Sequence, residues 1–177
     1  SGYPAATGIG TQHGGILVDF NAVKGGIEII PLDNDWQKAA HVYSDEVLIS
    51  HRTDAEKGTP KFERGKSLSD YQCEMIYISG TAAIRGEESI VTGDVLVQTE
   101  ITLENIQHLI GLEEGREKLP EHSGKLELLR VYLKHEEDAK IVKEDMDKLC
   151  PDVPIVYLYA DVCREELLVE IEGIAYL

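Results

Sequence analysis

The chain has 177 residues, 42% of them apolar and 28% charged, which suits one ordinary soluble domain able to bury a core without staples. Its 33 acidic residues against 17 basic give a formal net charge of −16, which excludes the basic surface that nucleic acid or an anionic membrane needs and leaves a small anionic metabolite, held where a few arginines collect, as the ligand to expect. The three scattered cysteines (Cys73, Cys150, Cys163) make neither a disulfide framework nor zinc spacing, and without a long apolar run or a signal-peptide layout the chain reads as cytoplasmic, with no metal or cofactor.

Residues 1–13, rich in Gly, Ala and Thr, read as irregular. Residues 15–22 and 27–31 read as two short strands on either side of Gly25-Gly26. A helical turn is expected around Trp36 to His41. The polar stretch from Asp45 to Asp70, with Gly58 and Pro60, reads as a long loop with strand pieces at both ends; a loop of that length in a compact domain is usually functional. The regular part starts at "YQCEMIYISGTAAI", a strand of mixed faces in which Gly80 marks a bulge or a close backbone approach. Asp94 caps a helix in which Val95, Leu96, Thr99, Leu103, Ile106 and Ile110 keep helical spacing, and Gly111 ends it. A strand follows at 125–134. The second helix, 135–150, has an acidic first turn that suits the helix dipole, and Pro151 stops it. Residues 153–160 and 167–175 are the last two strands.

From residue 71 the order is strand, strand, helix, strand, helix, strand, strand. That pattern predicts an α+β fold, a mostly antiparallel sheet with two helices on one face. The expected division is an extension, 1–70, packed on a main domain, 71–177. The other sheet face is expected to carry Tyr132, Tyr157 and Tyr159, and an apolar face left uncovered implies self-association.

Few motifs carry chemistry. "GIGTQHGG" does not sit between a strand and a helix, so it reads as a flexible loop and not a phosphate cradle. His13, His41, His51, His108, His122 and His135 show no ligand spacing, and His108 and His135 fall on polar helix positions expected in solvent. Ser50-His51 is adjacent in sequence, which is not triad geometry. The exception is "LLVEIEGIA", an apolar closing strand that holds Glu170 and Glu172 on one face. A charged carboxylate in such a strand is costly unless something pairs with it or uses it. One reading is a strand with a polar face. The other is a carboxylate whose pKa burial raises, poised as a general acid or base. Glu170, between Val169 and Ile171, is the more enclosed; Glu172 precedes Gly173, where the strand should open.

Several blocks resemble the RidA/YjgF superfamily over roughly residues 71–177: "IYISGTAAI", "GDVLVQTEITLENIQHLI", "LLRVYLKHEEDAKIVKEDM" and the closing "LLVEIEGIA". A narrower resemblance runs along the whole chain. "YPAATGIG", "NDWQKAAHVYS", "TPKFERGKS", "ISGTAAIRGEES", "GDVLVQTEITLENI" and "ADVCREELLVEIEG" are similar, in this order, to blocks of chorismatases, whose C-terminal half has this fold. Chorismatases are about twice this length, so the resemblance implies the C-terminal portion of such a protein, separated from an N-terminal half on which activity can depend.

The resemblance implies hydrolysis of the enolpyruvyl ether of chorismate, or of a related small anionic metabolite, with Glu170 as the acid and no cofactor or metal. It implies Arg64 as the first candidate for holding a substrate carboxylate, with Arg130 and Arg164 behind it, and Tyr3, Thr7, Gly80, Thr81 and Cys163 as lining residues. It also implies a homotrimer with sites at subunit interfaces. Two departures weigh against a direct carry-over: Glu87 stands where chorismatases usually have His, and Ile155 stands where RidA-type imine deaminases have their arginine. A non-catalytic RidA-like binding or assembly domain is the rival reading, and an imine deaminase ranks third.

Overall fold

The structure, a computed structural model, describes residues 2–11, 14–48, 58–70, 73–111 and 125–176. Its elements in chain order are β1 (Glu28–Leu32), β2 (Gly65–Ser69), β3 (Glu74–Thr81), the short strands β4 (Ile84–Arg85) and β5 (Glu88–Ser89), α1 (Val95–Leu109), β6 (Lys125–Leu133), α2 (Ala139–Leu149), β7 (Ile155–Tyr159) and β8 (Val169–Tyr176). Six strands form one sheet in the order β1-β2-β3-β8-β6-β7, and every pair is antiparallel except β6 with β7. β4 and β5 make a separate hairpin. The α+β reading with a mostly antiparallel sheet and two helices therefore holds. The sheet runs across the expected boundary at residue 70, because β2 pairs with β3.

Strand alternation divides the side chains between the two faces. Ile76, Ile78, Leu129, Val131, Leu133, Val169, Ile171 and Ala175 form the core with Val95, Leu103 and Ile106 of α1 and Val142 and Met146 of α2. Each of these is at most 7% exposed. At about 25 cal/mol per Å2 of apolar surface, this layer is the main source of stability. Asp94 caps α1 as expected, accepting from the Leu96 amide at 2.9 Å and the Val97 amide at 3.4 Å. Gly111, at φ +72°, ends the helix. Glu136–Asp138 form a 3-10 turn that leads into α2.

Four expectations need correction. Residues 15–22 form no strand; from 14 to 27 the backbone enters no strand pairing among the described residues, and every side chain is exposed. The run is apolar enough for a strand, but no neighbouring strand meets it. The helical turn falls at Ala40–Val42, later than expected, because Gln37 is held in a bridge with Gly86. Tyr157 and Tyr159 do not lie on the open sheet face. Their register against Val131 and Leu133 puts them on the helix side, where Tyr157 packs on the core, while Tyr132 remains on the open face. His108 is buried, not solvated: it stacks on Trp36 with ring centroids 4.0 Å apart and contacts the Asp35 carboxylate. Of the expected loop, residues 49–57 lie outside the described residues, as do His13, His51 and His122; its C-terminal end is β2, and its N-terminal end is a turn at 45–47.

The buried stripe of α1 is not purely apolar. Gln98 donates to the Glu166 carbonyl at 3.0 Å and accepts from the Leu168 amide at 2.8 Å. Asn105 donates to the carbonyls of Ala82 and Ile84 at 3.0 and 3.1 Å. Both are fully buried. They satisfy backbone groups that leave the sheet on either side of β3 and β8, and so fix the ends of the two strands that carry the site described next.

Candidate active site

β8 lies between β3 and β6, so its side chains on the open face point away from both helices. Glu170 stands opposite Tyr132 and Glu172 opposite Arg130. Their settings diverge from there. Arg130 Nη1 donates to Glu172 Oε1 at 2.6 Å, and the Tyr132 hydroxyl donates to the same oxygen at 2.7 Å. The Glu172 carboxylate is thus fully engaged, and it raises the pKa of the Arg130 guanidinium. Arg130, a lesser candidate for holding a substrate carboxylate, is spent on Glu172, because the two stand directly across the strand pair.

Glu170 is 6% exposed. Burial pushes its pKa up to about 7; the charge of Glu172 adds to the rise, and the Arg64 cation opposes it. Gly80 explains how the carboxylate fits. β3 has a register shift between Ile78 and Thr81, and a Cβ on Gly80 would overlap Glu170 Oε1 and come within 2.7 Å of Thr7 Cγ2. Gly80 is both bulge and close approach, and its missing side chain is the space the carboxylate occupies. The N-terminal segment crosses this point: the Gly80 amide donates to Thr7 Oγ1 at 2.9 Å, and the Ala6 amide to Ser79 Oγ at 3.0 Å.

Arg64 ends the residues before β2 and is 3% exposed. Its carbonyl accepts from the Ser79 amide at 3.0 Å, which places it beside the bulge. Its Nη2 donates to the Lys38 carbonyl at 2.7 Å and to the Tyr43 hydroxyl. Its Nε is buried without a hydrogen-bond partner. Arg164, 8% exposed, donates through Nη1 to the Glu87 carbonyl and to Ser89 Oγ, both at 2.9 Å. Both guanidiniums face the Tyr43 ring, at 5.6 and 5.5 Å from its centroid. Neither arginine is in an ion pair among the described residues. Cys163 is a free cysteine whose thiol is pushed up to about 11, by desolvation first and by the charge of Glu170 second. It is therefore a neutral neighbour of the carboxylate and not a nucleophile.

Glu170, Gly80, Thr7, Arg64, Arg164 and Cys163 thus come together. Thr81 does not: paired with Ile171, it lies on the other side of the sheet, and its hydroxyl donates to the Ser79 carbonyl at 3.0 Å. Tyr3 stands at the rim, its ring 5.1 Å from that of His41 and its amide donating to Glu63 Oε1 at 2.9 Å. Glu87 ties the extension to the hairpin: Lys38 and the Ser44 amide donate to its carboxylate at 2.9 and 2.7 Å and bring its pKa down to about 2. Tyr43 is the residue that sequence reasoning missed. It lies in a quoted block, but only the fold brings two distant arginines to its ring.

Neither of two concave surfaces among the described residues is lined by Glu170. One, of about 390 Å3, is lined by Asp33, Asp35, Gln37 and His108. The other, of about 270 Å3, is lined by Glu46, Leu48, Glu88, Glu166 and Arg164. Among the described residues no group of three or more His, Cys, Asp or Glu is placed to hold a metal ion, and no helix is long and apolar enough to cross a membrane.

No protein-family model matches the chain. It is 35% identical over 179 residues to a chorismatase of Streptomyces rapamycinicus, a match that covers 97% of this chain and 50% of the relative. It is 33% identical over 185 residues to a 3-hydroxybenzoate synthase of Streptomyces hygroscopicus, with the same coverage of each. A crystal structure of a chorismatase matches with a TM-score of 0.72 at 29% identity, over 97% of this chain and 50% of that one. The YjgF gene product of E. coli matches with a TM-score of 0.53 at 16% identity, over 82% of this chain and 97% of that one, which shows the fold alone. The chain has a RidA/YjgF-like fold, and as a domain it is chorismatase-like. It spans about half the length of the curated relatives it matches.

Proposed function

We propose that this chain carries the acid-catalytic site of a chorismatase-like hydrolase, with Glu170 as the proton donor to an enolpyruvyl ether. The observation that carries the reading is the meeting of a buried carboxyl of pKa about 7 with two buried arginines that make no close ion pair among the described residues, one of them with a buried Nε left without a hydrogen-bond partner. A buried cation with an unspent donor calls for an anion. Chorismate has two carboxylates, and Arg64 and Arg164 around one tyrosine ring supply two cations. In the reaction, neutral Glu170 gives its proton to the terminal methylene carbon of the enol ether. Water adds to the resulting oxocarbenium carbon and returns a proton to the Glu170 carboxylate. The hemiketal collapses to pyruvate and the ring alcohol. Bound anionic substrate raises the carboxyl pKa further, which keeps the acid loaded.

The names of the relatives support chorismate as the substrate, and the half-length match makes catalysis by this chain alone part of the proposal. The imine-deaminase reading lacks its arginine: Ile155 packs against the helix-side core. The open sheet face, with Val156 47% and Leu158 38% exposed, supports self-association, and a homotrimer is the proposed form. The deciding experiment is pyruvate release from chorismate, measured in this chain and in the full gene product, with Glu170→Gln beside each. Release that survives Glu170→Gln overturns the assignment. Chorismate binding by equilibrium dialysis with no turnover in either form favours the non-catalytic binding domain.

A further inference from the structure

Contacts among five residues close on themselves around Tyr43. Arg64 Nη2 donates to the Lys38 carbonyl at 2.7 Å and to the Tyr43 hydroxyl. Lys38 Nζ donates to Glu87 Oε2 at 2.9 Å, and Arg164 Nη1 donates to the Glu87 carbonyl at the same distance. Arg164 in turn faces the Tyr43 ring. The circuit runs Arg64, Lys38, Glu87, Arg164, Tyr43 and back to Arg64. Glu87 joins its two halves: the side chain leads to Arg64 and the main chain to Arg164.

Two cations at one aromatic ring repel each other, so fixed partners must hold them there. The turn of the β4-β5 hairpin supplies them. Gly86, at φ +59°, makes the turn, and its amide and carbonyl bond to the Trp36 carbonyl and the Lys38 amide, both at 2.8 Å. One residue on, Glu87 Oε2 accepts from the Lys38 ammonium and from the Ser44 amide, at 2.9 and 2.7 Å. A single carboxylate oxygen thus pins the chain on both sides of the 3-10 turn Ala40–Val42. Both groups that accept from Arg64, the Lys38 carbonyl and the Tyr43 hydroxyl, sit on that pinned loop. Arg164 bonds instead to the hairpin itself, at the Glu87 carbonyl and Ser89 Oγ. The Lys38 and Glu87 side chains are 39 and 19% exposed, so their ion pair adds little to stability; what it contributes is geometry.

We propose that Glu87 is a positioning residue: its carboxylate holds the 38–44 loop so that Arg64 stands at a fixed separation from Arg164, as a ligand with two anionic groups requires. The inference rests on the anion-binding reading above and names what sets the spacing of the two cations. The test compares the whole chain with Glu87→Ala, Lys38→Met and the double variant. Thermal melting should be nearly unchanged in all three; if Glu87→Ala melts early, Lys38→Met decides. In the free protein, rotation of each guanidinium about its Nε–Cζ bond is followed by 13C-detected NMR. In Glu87→Ala, Arg64 should rotate at least about tenfold faster, the loss of one charged hydrogen bond, while Arg164 keeps its rate. With chorismate, KM should rise at least about tenfold and kcat stay within about threefold, because the proton donor is untouched. Lys38→Met should change both readouts in the same direction, and the double variant should be no worse than Glu87→Ala, since both substitutions cut one link. Arg64 rotating as in wild type overturns the assignment, as does an unmoved KM or a loss confined to kcat. If the wild type neither binds nor turns over chorismate, the hydrolase reading fails, and the rotation of Arg64 alone decides for or against Glu87.

Discussion

Glu170 and Gly80 share one space: the carboxylate of β8 occupies the volume that any side chain on Gly80 would claim. The register shift in β3 falls at the point where this carboxylate lies. Gly80→Ala is therefore expected to push the carboxylate out or the strands apart. The expected cost is about 2 kcal/mol in urea unfolding, in the range of overpacked sites, with pyruvate release reduced at least about tenfold. Gly8→Ala, where a Cβ meets nothing within 4 Å, serves as the neutral control.

The two glutamates of β8 should separate cleanly in kinetics. Glu170→Gln keeps the shape of the side chain but cannot supply the proton, so turnover is expected to fall roughly 100- to 10,000-fold. Glu172→Gln weakens the contact with Arg130 and Tyr132 at the sheet surface and should leave turnover within about threefold, since exposed ion pairs contribute little. Comparable losses in both variants would count against Glu170 as the acid.

Glu170 also sets a pH dependence of stability. Its pKa is 4.5 in an open chain and about 7 in the fold, so the folded state binds the extra proton between those values. The stability is complete below pH 4.5 and is lost as pH rises through 7, by an amount on the order of 3 kcal/mol. Glu170→Gln removes the titration, so this variant should be more stable than wild type at pH 8 and nearly equal to it at pH 5. Urea titrations at the two values measure the difference. Activity of the wild type should fall above pH 7 with a slope of one, as the acid is lost.

Arg64 holds the pKa of Glu170 down as well as facing the proposed anion. Arg64→Met is thus expected to move the Glu170 titration upward, visible as a shift of its carboxylate signal in 13C NMR, and to weaken chorismate binding at least about tenfold. Arg64→Lys should keep the titration near its place but lose the contact with the Tyr43 hydroxyl, raising KM more than it lowers kcat.

Where local rules dominate, sequence and structure agree. The cap at Asp94, the stop at Gly111, the acidic entry to α2 and the four long strands follow from spacing and end chemistry, and their positions match within a few residues. Glu170 stood out because a charge in an apolar strand demands a reason. What sequence could not supply is contact between distant segments. Tyr43 gathers Arg64, 21 residues further on, and Arg164, from near the far end of the chain, and no spacing marks that meeting. Arg130 reads from sequence as a candidate for a substrate carboxylate, but cross-strand register assigns it to Glu172. His108 looked solvated from its helix position because Trp36, which covers it, comes from the extension.

The central place of β8 has a consequence for how the molecule comes to be. Its neighbours β3 and β6 do not pair with each other, and within the sheet they are joined only through it. As the polypeptide emerges from the ribosome, β1, β2 and β3 can assemble as one ribbon and β6 with β7 as another, but the two remain unjoined, with unpaired edges exposed, until β8 is made. The strand that brings Glu170 is the one that completes the sheet. A nascent chain halted before residue 169 would lack both, so the joined sheet and the proposed acid arrive together.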